Sequence, residues 1–210
     1  MLDINIVSIK NTIRSCVTIS PVEKDLLNLW NSYSGTTTYL LGGRNAPGLL
    51  LRSLADEFNL GIYNELSCAV SSRSYRFDGV LYSKRHADDP PVLDYNFDTY
   101  DHVRRNVVIT LEVEGVGHSS DEEIQKFVEC GQPCNILLTW PSPNGWVHRG
   151  DQCLDRYRNM IRDHRLLNGP LVVQSPNPQY IVIFCTKVGP RLQWDFYRYD
   201  KHVSTFLRIS

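Results

Sequence analysis

Apolar residues along the chain recur at two spacings, one near 3.6 residues and one near 2, and the spacing changes several times. From the N-terminus, Ile4, Ile6, Ser8, Ile13, Val17 and Ile19 alternate loosely and predict short strands or an irregular entry over 2–19. Ser20, Pro21 and Glu23 form a helix start: a hydroxyl cap, a proline in the first turn and an acid three residues on. Leu26, Leu27, Leu29 and Trp30 give that helix its stripe, and a polar loop follows through Gly35 and Gly42-Gly43. A second helix is expected from about Ala46-Pro47, with Leu50, Leu51, Leu54, Ala55 and Phe58 on one face, ending between Asn59 and Gly61. The period then shortens. Ile62, Leu66 and Val70 mark one strand, and Arg73 to Ser83, rich in aromatic and branched residues, marks a second.

Residues 84–105 break the pattern with five aspartates and Pro90-Pro91, and read as a long surface connection or insert. Asn106 to Gly115 has the strongest strand signal in the chain. A Ser119-Ser120-Asp121 cap then opens a helix carrying Ile124, Phe127 and Val128. Asn135 to Trp140 reads as a buried strand and Asp151 to Leu167 as an amphipathic helix. Gln179 to Val188 and Leu192 to Tyr199 read as an antiparallel pair about Gly189-Pro190. Helices alternating with strands in this order define an α/β fold around a mixed sheet.

Composition narrows the class. With 210 residues, 42% hydrophobic and 21% charged, the chain can build one sizeable core and is not a disordered polymer. Its 22 Lys and Arg offset 23 Asp and Glu, so a uniformly basic nucleic-acid binder is excluded and only a local basic surface remains open. No apolar run is long enough to span a membrane, and the start lacks a secretory pattern. Six cysteines without a CxxC pair suit reduced thiols in a cytoplasmic protein. Cys130 and Cys134 with His118 or His148 are the alternative, a zinc site, but no second paired motif supports it.

The chemistry-bearing pattern is acidic. Glu112 and Glu114 lie two apart on the best strand, so both carboxylates point to one face. Carboxylates among Val, Ile and Leu need a partner or a cation, and hard oxygen donors suit Mg²⁺ or Mn²⁺. Asp78, in Arg76-Phe77-Asp78-Gly79-Val80 on the preceding strand, offers a third carboxylate. The bland alternative is that Asp78 opens a bend with Gly79 and that the two glutamates face solvent on an edge strand.

An Asp-bearing strand, an insert, and a strand ending Glu112-Val113-Glu114 resemble the PD-(D/E)XK nuclease superfamily. The following helix with Glu123 and Lys126, the strand 135–141 and the Trp-x-Phe-Tyr ending extend the resemblance over roughly residues 46–200. It implies a restriction-endonuclease-like mixed sheet flanked by helices, with residues 1–45 an N-terminal extension and 46–210 the core. It also implies Mg²⁺- or Mn²⁺-dependent hydrolysis of phosphodiester bonds, in DNA more often than RNA. By position, Asp78 and Glu112 would be metal ligands, with Glu65 a further one. Glu114 stands where most members have lysine. Either Glu114 serves as the base for the attacking water, or Lys126 reaches back from the next helix as a migrated lysine; on the bland reading Lys126 is an exposed residue of an amphipathic helix.

Arg73 and Arg76 flank the proposed site and could hold a phosphate, or pair with its carboxylates. Arg158, Arg162 and Arg165 share a helix face that could follow a nucleic-acid backbone, against a plainer reading as ion-paired surface. Trp140 and Trp146 could stack on bases, against a plainer role in packing. No P-loop, nucleophile elbow or dinucleotide fingerprint is present. The rival to an enzyme is an inactive module on the same fold that binds nucleic acid or protein. Residues 1–45 could also be a partner-binding arm, with a homodimer among the outcomes.

Overall fold

The computed structural model describes residues 5–18, 39–43, 46–70, 73–89, 97–115, 118–140, 150–168, 175, 177–188 and 191–209. The elements are α1 (Ile6–Val17), β1 (Gly42–Gly43), β2 (Ala46–Pro47), α2 (Leu49–Phe58), β3 (Gly61–Val70), β4 (Arg73–Tyr82) and α3 (Phe97–Arg105). They continue with β5 (Val107–Gly115), α4 (His118–Cys130), β6 (Cys134–Trp140), α5 (Gly150–Asn168), β7 (Gln179–Val188), β8 (Arg191–Asp200) and β9 (Thr205–Arg208). Strands β3 to β9 form one seven-stranded sheet in sequence order, and β1 and β2 make a small antiparallel pair. The sheet is mixed: β6 and β7 run parallel, while β7–β8 and β8–β9 are antiparallel. This is the α/β class the alternating periods imply. The helix expected at 20–30, the Gly189-Pro190 turn and Trp146 lie outside the described residues.

The chain divides into two compact units, Met1–Cys68 with Arg76–Thr110, and Ala69–Tyr75 with Leu111–Ser210. In the first unit the start of the chain corrects the strand-like reading. Ile9, Ile13, Cys16 and Val17 are buried on one face of α1, at helical spacing. Asn5 caps the helix: its side chain accepts from Val7 N at 2.9 Å, and its carbonyl accepts from Ile9 N. Helix α2 begins later than expected, because Ala46-Pro47 pairs with Gly42-Gly43. It ends as predicted, with Asn59 in the left-handed region at φ 51°. Helix α1 packs against α2.

The 84–105 segment is not all loop, since 97–105 is helical. Val103 and Thr99 are buried, Tyr100 Oη donates to Ser67 O at 2.8 Å, and His102 Nε2 donates to Ser83 O at 3.0 Å. Its few apolar residues hid it, for two or three contacts anchor an otherwise polar helix. Asp78 opens no bend either. Strand β4 runs through it unbroken, and Gly79 has no left-handed backbone. A Cβ on Gly79 would lie 2.7 Å from Leu51 Cδ2, so the glycine makes room for a side chain of α2.

In the second unit α4 packs on α5 and on β6, and α5 touches β9. Registers pair Cys134 with Gln179 through Thr139 with Phe184, and Ile181 with Arg198 through Val188 with Arg191. Strand β9 is recognisable only from its pairing with β8. The five described cysteines are free and buried. Burial pushes the Cys134 thiol up to about 12, so little thiolate forms near neutrality. Cys134 should therefore stay unlabelled by a thiol reagent at mildly alkaline pH and react only once denaturant opens the chain. Peptide mapping that found rapid native labelling would contradict this burial.

Candidate functional site

Strand β5 brings Glu112 into an apolar run whose every member from Val107 to Val113 is buried. It lies inside the sheet between β4 and β6, so the edge-strand reading of Glu112 does not hold. A carboxylate there needs a counter-charge. That counter-charge comes from α4. Lys126 Nζ lies 2.6 Å from Glu112 Oε1, and Glu123, one helical turn back, closes on the same ammonium through Oε2. The Lys126 side chain is 6% exposed, Glu112 2% and Glu123 18%. Lys126 is therefore not the solvated residue of an amphipathic face. It is drawn inward by two carboxylates, one on its own helix and one fourteen residues earlier in sequence.

Burial by itself would lower the affinity of Lys126 for its proton. The charges of Glu112 and Glu123 outweigh burial, and the net direction is upward from 10.5. The ammonium is thus held charged across the ordinary pH range. The trio still has one negative charge in excess. A second polar group follows on the same helix: Tyr75 Oη donates to Glu129 Oε2 at 2.5 Å, and Gln125 Nε2 donates to Glu129 Oε1 at 2.7 Å.

The other expected residues are placed as follows. Glu114 is half-buried two residues beyond Glu112, and Asp78 is half-buried on β4. Glu65 is exposed on β3, with a left-handed backbone at φ 59°. Arg76 is exposed, while the Arg73 side chain lies outside the description. Arg158 pairs with Asp155 at 3.3 Å and Arg162 with Asp163 at 2.9 Å, so the expected basic face of α5 carries its own counter-ions. Arg156 likewise reaches Asp121. Trp140 is buried at 2% exposure and belongs to the core, not to a base-stacking surface. Motif reading passed over Glu123 as a site residue. Its i, i+3 spacing to Lys126 was the available signal.

A divalent ion needs a cage of oxygens. Among the described residues no three His, Cys, Asp or Glu side chains gather within reach of one ion. The donor chemistry of Glu112 and Glu123 would suit Mg²⁺ or Mn²⁺. Yet the cation between them is Lys126, and both carboxylates are already engaged with it. These side chains do not fit a ready metal cage, and no chemical step is derived through an ion. What the arrangement offers is a fixed, charged ammonium against a buried carboxylate. Such a cation can steady negative charge developing on a neighbouring group. No described helix is long and apolar enough to cross a membrane. No protein-family model matches the chain, and no curated protein matches it.

Proposed function

We propose that this chain is a nuclease-like phosphodiesterase of the PD-(D/E)XK kind, with Glu112 and Lys126 at the centre of its site. The observation that supports the reading is the 2.6 Å contact between them. The resemblance calls for a lysine beside the strand carboxylate, and position 114 lacks one. Lys126 supplies an ammonium at that carboxylate from the following helix. Of the two repairs to the motif, the migrated lysine is thus the one with a contact behind it. The reading keeps the requirement for Mg²⁺ or Mn²⁺, with Asp78, Glu112 and Glu65 as the assigned positions; the described side chains do not assemble that cage by themselves. Nucleic acid, DNA before RNA, is the substrate class, and a cytoplasmic setting and a homodimer belong to the same proposal.

One observation favours the inactive module. The Glu112 and Lys126 side chains are only 2% and 6% exposed, which leaves a phosphate little access. Cleavage of plasmid and oligonucleotide DNA with Mg²⁺ or Mn²⁺ decides between the two. Wild type should cleave, and Glu112→Gln should cleave about 10²–10⁴-fold more slowly, as expected when a positioned acid–base or charge-stabilising group is lost. Equal rates in both would sink the assigned site. No cleavage by wild type, with DNA retained on a filter, would favour the module.

A further inference from the structure

The Lys126 ammonium is shared unequally. Glu112 is shut in, at 2% exposure, inside a strand of buried apolar residues. Glu123 keeps 18% exposure even though its Oε2 is buried against Lys126. Two carboxylates around one ammonium leave an excess negative charge. In a low-dielectric setting that excess is borne best where water can reach it. Glu123 is the group so placed. It also sits three residues from Lys126 on the same helix, so its hold on the ammonium is set by α4 alone and does not depend on the docking of β5.

We propose that Glu123 is a positioning residue, holding the Lys126 ammonium against Glu112 and connecting it to solvent. In this role a proton leaving Nζ passes to a carboxylate oxygen of Glu123 and from there to water, and returns by the same path. The N–H bond broken is replaced by an O–H bond, and no other reactant is consumed. The catalytic meaning of this role rests on the phosphodiesterase reading. The contact and the proton path do not.

The test uses the full chain with labelled lysine, following the Lys126 side chain by NMR through a pH titration. In Glu123→Gln the Lys126 titration should move down by at least about one pH unit, equivalent to losing one close charge partner. Exchange of its Nζ hydrogens with water should slow several-fold. Glu123→Asp, which keeps the charge, should restore most of the titration. Unchanged titration and exchange in a folded Glu123→Gln would overturn the proposal. Should Glu123→Gln not fold, the wild type decides: nuclear Overhauser contacts between the Lys126 Nζ hydrogens and the Glu123 γ-methylene are required, and their absence would equally overturn it. Cleavage assays run on the same samples separate the two ideas. An inactive wild type whose Lys126 titration responds to Glu123→Gln removes the phosphodiesterase reading and leaves this one standing.

Discussion

Lys126→Met is expected to destabilise the folded chain by roughly 3–5 kcal/mol, the usual cost of removing one partner from a buried ion pair. The physical reason is what stays behind. Glu112 and Glu123 would face each other with no cation between them, and Glu112 has almost no contact with water. For a chain of this size the loss corresponds to a fall of roughly 6–20 °C in Tm. Urea unfolding would give the same free energy from the midpoint. Adding Glu112→Gln to the Lys126→Met background should recover much of the loss, since the buried charge goes with it. A loss below about 1 kcal/mol would mean that the pair is in fact solvated.

The same variant has a pH signature. The folded-state pKa of Lys126 is raised above 10.5, so the ammonium's contribution is fully present below that value. It is lost as pH rises through the folded-state value. The stability gap between wild type and Lys126→Met should hence be flat from neutrality to about pH 10 and narrow only above 10.5. A gap that closed near neutrality would contradict the direction of the shift.

Trp140→Ala is the second large effect, with an expected cost of about 3–5 kcal/mol. Trp140 is among the largest fully buried side chains and ends β6, where a cavity in its place could not readily collapse. Denaturant unfolding measures the cost. Nucleic-acid binding by the folded fraction should not change. Weaker binding with unchanged stability would restore the base-stacking role that burial argues against.

Much of the sheet was legible because its strands carry their own signal. The run Val107 to Val113 is too apolar for anything but an interior strand, and it is one. Gln179 to Val188 and 191–200 alternate well enough to foretell their antiparallel pairing. Elements with little apolar content were harder. Helix α3 rests on Val103, Thr99 and the reach of Tyr100 to Ser67 O, none of which makes a periodic stripe. Strand β9 has four residues and owes its state to β8. At the start of the chain the alternation of Ile4, Ile6 and Ser8 competed with the helical spacing of Ile9, Ile13 and Val17, and the Asn5 cap settled the contest for helix.

The site divides in the same way. Sequence alone determined that Glu112 sits on a buried strand and must have a partner, because an unpaired carboxylate among Val, Ile and Leu is too costly. It also determined that Glu123 and Lys126 share a helix face, because the helical period fixes that. Only the tertiary structure decided that this face turns inward and that Lys126 meets Glu112 at 2.6 Å. The arginines of α5 show the converse, since local spacing put them on one face and their aspartate partners then neutralised it. Helix amphipathicity sends a lysine to solvent by default. What overrides it here is a charge on a different element, and local sequence carries no record of which distant carboxylate the fold will bring to it.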